Sequence, residues 1–314
     1  METLAVVMQQ PGQVSLSRLG LPALGADELV VDVSWSGIST GTERLLWSGK
    51  MPPFPGMGYP LVPGYETVGI VSHAAEGHES RVGDLVFVSG ARCYGDIRGL
   101  FGGAASRLIC SHDKAITIAG HLQEQGILMA LAATAYHAMR AAPDKRPPEL
   151  IVGHGVLGRL LARLIVATGH EAPVVWELDE ARAGGAVGYP VLHPDVDKRR
   201  DYQCICDVSG DVRAIDSMIA RLARGGELIL GGFYADPVSF DFPPAFMRET
   251  RINIAAEWQP ADLAAVVELT GEHKLSLDSL LTHRLPAESA AEAYNTAFSD
   301  PSCLKMILDW SAAA

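Results

Sequence analysis

Cysteine is scarce in this chain: there are five in 314 residues, at 93, 110, 204, 206 and 303. That number and scatter exclude a disulfide framework, and a reducing cytoplasm is the expected compartment. Positive charge is also short. Lys and Arg total 25 against 37 Asp and Glu, for a net charge of −12, which argues against nucleic acid and anionic membrane surfaces as partners. No run approaches the roughly 20 apolar residues of a membrane-crossing helix. The opening Met1-Glu-Thr-Leu-Ala-Val-Val7 has no basic stretch followed by an apolar one. Neither a transmembrane segment nor a signal peptide is therefore expected. Internal repeats are missing too. What remains is 48% hydrophobic and 20% charged, over a length sufficient for two domains, the composition of a packed soluble protein.

Glycine, by contrast, is concentrated where it is informative. In Glu149-Leu-Ile-Val-Gly-His-Gly-Val-Leu-Gly158, the apolar run Leu150–Val152 reads as a buried parallel strand. After it, Leu157, Leu160, Leu161, Leu164 and Ile165 recur at helical spacing. Gly153, Gly155 and Gly158 thus lie where a strand turns into a helix. The first permits the turn, the second admits a pyrophosphate, and the third lets helix and strand pack closely. The helix N-terminus, at Val156 and Leu157, offers free N–H groups to phosphates. A second strand, Val174–Trp176, ends in Glu177, nineteen residues after Gly158. A carboxylate there would bind the adenosine ribose hydroxyls and repel a 2′-phosphate, so NAD is expected rather than NADP. Arg182 could reach the same ribose or be an ordinary solvated charge.

The pattern along the chain divides in two. The first 115 residues carry short apolar runs, Leu29–Val33, Val68–Ser72 and Leu85–Val88, separated by turn residues, and read as mostly β. Gly120 to Ala142 reads as helix, and Asp144-Lys-Arg-Pro-Pro148 as a connection. From 150 onward strands and helices alternate, which implies parallel βαβ units. Cys204–Asp207 is a strand whose two thiols share one face and are expected to be inert. Ile215, Met218, Ile219 and Leu222 mark a helix, Gly225-Gly226 a turn, and Leu228–Leu230 the next strand. Pro243-Pro244 is expected in a loop before a short helix. Two helical patterns, 261–273 and 287–299, precede a final strand near Lys305–Leu308.

A β-rich start, a Rossmann unit and a C-terminal return resemble the medium-chain dehydrogenase/reductase superfamily. The marks are Gly37-Ile38, Val62-Pro-Gly-Tyr-Glu66, Arg81-Val-Gly-Asp-Leu-Val-Phe-Val88, Ala133-Thr-Ala-Tyr-His-Ala138, the glycine fingerprint, Asp207-Val-Ser-Gly210 and Leu281-Thr-His-Arg-Leu-Pro286. The resemblance implies an α/β fold: a GroES-like catalytic domain over 1–120 and 258–314, and a doubly wound parallel NAD-binding sheet over 121–257. It adds Ser209 and Gly232 to the cofactor contacts. Zinc-dependent members carry ligands where this chain has Ser39 and Tyr65, and a hydroxyl and a phenol are poor zinc ligands. The four-cysteine lobe of that superfamily is also absent, since residues 89–103 hold only Cys93. No metal is expected, although His73, His78 and His137 are donors in principle.

Ser36-Gly-Ile-Ser-Thr-Gly-Thr-Glu-Arg44, Gly49–Pro55 and Gly58–Glu66 resemble the dehydrogenase family of the bacteriochlorophyll pathway. That resemblance implies oxidation of the 3-(1-hydroxyethyl) group of a bacteriochlorophyllide to 3-acetyl with NAD, and allows a homodimer. Without zinc, another group must handle the hydroxyl proton. Tyr65 stands in a ligand position, and two readings of it are open: a base, which would need a cation to lower its pKa, or a packing residue. Ser39, Thr42 and Glu43 could relay the proton. Trp47, Phe54, Met57 and Tyr59, on a loop rich in Gly and Pro, would suit a flat macrocycle or pin the loop to the core. The competing functions are a zinc-free quinone or enoyl reductase and a catalytically silent nucleotide-binding protein.

Overall fold

The computed structural model describes residues 1–234 and 236–312, which form two compact units: 1–130 with 278–314, and 131–277. In the first unit, β1 (Glu2–Gln10) and β2 (Gln13–Gly20) pair as an antiparallel hairpin. β3 (Glu28–Ile38) is the long central strand of a second sheet. Its Leu29, Val30 and Val31 are fully buried, because the strand is covered on both faces and β-branched side chains suit that pleated surface. After β3 comes α1 (Thr42–Ser48), stopped by Gly49 in the left-handed region, at φ 69°. β4 (Thr67–Ala74), β5 (Leu85–Val88), β6 (Arg107–Ser111) and β7 (Ala115–Thr117) complete this part of the sheet. β3 pairs antiparallel with β4 and with β6.

The helix expected over 120–142 forms only in part. Gly120–Leu128 is a tight 3-10 segment broken at Gln123, and α2 spans Met129–Met139. Gly126 lets the segment lie directly on the sheet, since a Cβ there would sit 2.3 Å from Ile118 Cδ1. Only beyond it does the alanine-rich run sustain a regular helix.

The second unit is a parallel sheet in the order β10-β9-β8-β11-β12-β13. It comprises β8 (Leu150–Val152), α3 (Val156–Ala167), β9 (Val174–Trp176), α4 (Glu180–Ala183), β10 (Val191–Leu192), β11 (Tyr202–Asp207), α5 (Ile215–Ile219), β12 (Leu222–Leu230), α6 (Phe242–Arg248) and β13 (Arg251–Ile254). Strand order reverses between β8 and β11, the position where such sheets hold ligands at the strands' carboxyl ends. Three boundaries differ from expectation. Leu222 opens β12 rather than closing α5, because it pairs with Tyr202. Gly225-Gly226 forms an irregularity inside that strand, where the register shifts. Pro243 and Pro244 lie in the first turn of α6, where a missing N–H costs nothing.

α7 (Pro260–Gly271) buries Leu263 and Val266 and is tied to α2 through His137 Nδ1 and Asp262 Oδ2, 2.9 Å apart. It therefore belongs to the second unit, and the first unit resumes later than the expected residue 258. β14 (His283–Pro286), α8 (Ala290–Ser299) and β15 (Met306–Asp309) follow. β15 pairs antiparallel with β3, Met306 opposite Ile38, and so lies against the strand end that carries Ser39.

Candidate active site

The register of β3 and β4, with Ser36 opposite Thr67, sets the end of one strand beside the start of the other. Ser39 just after β3 and Tyr65 just before β4 therefore meet, with Ser39 Oγ 2.7 Å from the Tyr65 hydroxyl. Thr42, opening α1, adds its hydroxyl 3.4 Å from Tyr65 and donates its N–H to Ser39 Oγ at 3.3 Å. The Tyr65 ring stands edge-on to Phe101, centroids 5.1 Å apart. Three of the four expected catalytic residues thus form one hydroxyl cluster.

Two buried carboxylates lie behind it. Glu43 accepts the Ser39 N–H at 3.1 Å on one oxygen and the Tyr294 hydroxyl at 2.5 Å on the other. Burial pushes its pKa from 4.5 up to about 7, against the pull of those two hydrogen bonds. Glu66 is fully buried and paired with the Lys305 ammonium, itself almost completely buried. Gly37 makes room for it, since a Cβ there would lie 2.3 Å from Glu66 Oε2. Burial raises the Glu66 pKa and Lys305 lowers it.

Tyr65 does not acquire the lowered pKa that a base requires. Burial first, then the Glu66 charge, push its phenol well above 10, and the hydrogen bonds from Ser39 and Thr42 only partly offset this. Arg44 and Lys50, the nearby cations in sequence, are exposed, and the buried Lys305 is committed to Glu66. Tyr294 and Lys305 escaped the sequence reading. Lys305 left one trace, a lone charge at the head of an apolar strand pattern; Tyr294 left none on its amphipathic helix.

Trp47 lies in the last turn of α1 rather than on the loop, because the helix runs on to Ser48 before Gly49 stops it, and the aromatic stretch spends most of its side chains on its own anchorage. Trp47 packs on Phe298 at 5.5 Å and, like Met57 and Tyr59, lies against the hydrophobic core. The Tyr59 hydroxyl donates to the Leu46 carbonyl. Phe54, 38% exposed, is the one of the four left open to solvent.

In the second unit, the three glycines are spatially distinct. A Cβ on Gly158 would lie 1.9 Å from the Gly153 carbonyl oxygen, and Gly153 has φ 105° against the Ser209 backbone. Gly155 alone faces open space, with nothing within 4 Å of where a Cβ would be. It is also the N-cap of α3 and supplies no side chain, so the amides of Val156 and Leu157 lack acceptors inside the helix. Glu177, at the end of β9, accepts N–H groups from His154 (3.2 Å), Leu178 (2.8 Å) and Asp179 (3.0 Å). Arg182 offers its carbonyl to His154 Nδ1 at 2.7 Å and to Arg159 at 2.9 Å, while its own Nε is buried without a hydrogen-bond partner. Ser209 and Gly232 gather on Asp207 at the end of β11: Ser209 Oγ donates to its carboxylate at 2.6 Å and Gly232 N–H to its carbonyl at 2.9 Å. Space over Gly155, unused helix amides and a fixed carboxylate at the next strand fit a dinucleotide.

The residues at Ser39 and Tyr65 do not fit zinc, being neutral hydroxyls bonded to each other. Of the three histidines considered as donors, His73 lies beside Ser72, His137 is bound to Asp262, and His78 faces Asp27. The five cysteines are buried and form no disulfide.

Residues 25–120 match the model of the alcohol dehydrogenase GroES-like domain. A 2-desacetyl-2-hydroxyethyl bacteriochlorophyllide A dehydrogenase from Rhodobacter capsulatus is 57% identical over 314 residues, all of both chains. The protein of the same description from Cereibacter sphaeroides is 54% identical, again over all of both chains. Among solved structures, an alcohol dehydrogenase from Escherichia coli CFT073 in complex with NADH superposes with a TM-score of 0.81 at 18% identity, over 98% of this chain and 99% of that one.

Proposed function

The chain belongs to the family of 2-desacetyl-2-hydroxyethyl bacteriochlorophyllide A dehydrogenases, and from that premise we propose that it oxidises the hydroxyethyl group of a bacteriochlorophyllide to acetyl, using NAD and no zinc. It is an oxidoreductase acting on CH–OH. The observation that carries the reading is the 57% identity along the whole length. The hydroxyl cluster gives it a mechanism.

Bound NAD supplies the hydride acceptor; the rest falls to the chain. The glycine loop and the first turn of α3 would hold the pyrophosphate, and Glu177 the adenosine ribose. Glu177 supports NAD over NADP, because a 2′-phosphate beside it would meet a like charge. As the carbinol hydride passes to the bound nicotinamide, the O–H proton passes to the Tyr65 oxygen while Tyr65 yields its own proton to Thr42 Oγ1, 3.4 Å away, and the half-buried Thr42 hydroxyl passes a proton on to water. Ser39, 2.7 Å from the Tyr65 hydroxyl, holds it in place. Tyr65 thus acts as a relay that stays protonated between turnovers. A phenolate base does not suit its raised pKa. Conjugation of the new carbonyl with the macrocycle lessens the need for a Lewis acid. Phe54 is the proposed first contact of the pigment.

The test is direct. The purified chain, given a hydroxyethyl bacteriochlorophyllide and NAD, should form NADH and a pigment lighter by two hydrogens in equal amounts. If neither product forms while NAD still binds, the substrate assignment fails and a silent nucleotide-binding protein becomes the better account.

A further inference from the structure

Asp27, His78 and His112 bring a carboxylate and two imidazoles together in the first unit, their ligand atoms all within 4.8 Å of one another. Three turns converge there, and backbone bonds fix them. His112 N–H donates to the Asp27 carbonyl at 2.9 Å, His78 N–H to Ala75 at 3.0 Å, and Ala75 N–H to Glu28 at 3.0 Å. The place is remote from the hydroxyl cluster. Asp27 immediately precedes β3 and Ser39 immediately follows it. A strand of that length separates its ends by on the order of 30 Å.

The donors and spacing suit a metal of the zinc class. Imidazole with carboxylate is a common ligand set for zinc, cobalt and their neighbours. His78 Nε2 lies 3.4 Å from Asp27 Oδ1. A tetrahedral zinc with bonds near 2.0–2.1 Å has ligand-to-ligand edges of about 3.4 Å. The two imidazoles are stacked, centroids 4.2 Å apart and planes inclined by 23°. Stacked rings hold their nitrogen lone pairs in nearly parallel planes, so His112 must turn for its nitrogen to converge on the others. It is only half-buried, and Asp27 is largely exposed, which leaves both free to close. The nearby cation Arg81, which donates to the His112 carbonyl, is already neutralised by Asp84.

We propose that Asp27, His78 and His112 bind one divalent transition-metal ion, which fastens three turns of the first unit and takes no part in hydride transfer. The full chain, stripped with a chelator, is titrated with Co²⁺. One equivalent should bind and give the intense visible absorption of a tetrahedral site. His78→Ala and His112→Ala should each weaken binding by about tenfold or more. Zn²⁺ should raise the thermal midpoint of the wild type and not of the double variant. Turnover should be the same with and without metal, and in both variants. Absence of Co²⁺ binding, or equal affinity in the double variant, overturns the site. Zinc retained by the double variant lies elsewhere and also overturns it. Only if removing that zinc stops turnover does the zinc-free mechanism fall as well.

Discussion

At the level of single side chains, the proposed proton relay rests on Tyr65, while the buried Glu43 near it titrates on its own account. Tyr65→Phe keeps the ring against Phe101 and deletes only the hydroxyl. Turnover of the hydroxyethyl pigment should fall by about 10²–10⁴-fold, the usual contribution of a positioned proton-transfer group, with NAD affinity unchanged by calorimetry. Near wild-type turnover would move the role to Ser39 or Thr42. Glu43 makes a different, pH-dependent prediction. Its pKa rises from 4.5 to about 7 on folding. The folded state therefore holds this proton more tightly, and the stability it contributes is full below pH 4.5 and lost as pH rises through 7. Glu43→Gln keeps acceptor and donor atoms for Ser39 and Tyr294 and removes the titration. Relative to wild type, the variant should gain stability between pH 5 and pH 8, by up to about 3 kcal/mol. Urea denaturation at the two pH values measures it, and a difference that does not change with pH refutes the assignment.

At the scale of an element, the glycine turn between β8 and α3 should separate folding from binding. Gly155→Val adds a side chain where nothing lies within 4 Å, at an ordinary φ of −72°. The fold should survive with an unchanged thermal midpoint while NAD binding is abolished. Gly158→Ala should do the reverse damage. Its methyl would meet the Gly153 carbonyl at 1.9 Å, so α3 must shift and the thermal midpoint should fall. Equal loss of stability in both variants would contradict the distinct roles. This turn was legible in the sequence because its meaning is local: strand, glycines, helix and acid follow one another at fixed spacing. His154 was not legible. Its ring ties Arg182 and Tyr189 (2.9 Å) to the loop, and residues 28 and 35 positions away carry no spacing signal. The aromatic loop was ambiguous for the opposite reason. Trp47, Met57 and Tyr59 have a composition that suits a ligand or a core, and only packing tells which.

For the molecule as a whole, the fold class was readable from the change of pattern near residue 115 and the βαβ alternation after 150. The boundaries were less so, since α7 looks the same in sequence whichever unit it packs on. Cofactor choice belongs to this scale, because it sets which nicotinamide pool the enzyme draws on. Calorimetry should find NAD bound more tightly than NADP, and Glu177→Ala should narrow the gap. Equal or tighter binding of NADP by the wild type would defeat the proposal.

The pairing of β15 with β3 has a consequence in time. Glu66 is synthesised well before Lys305, which neutralises it. The whole second unit, 131–277, is synthesised in between. Since domains generally fold as units in order of synthesis, that unit can close while the first still lacks its final strand. During this interval Glu66 has no cation to accompany it into the interior. The nascent chain should thus become able to hold a nucleotide before the Glu66–Lys305 pair behind the hydroxyl cluster exists, and a chaperone that shields the unfinished β sheet would act in that window.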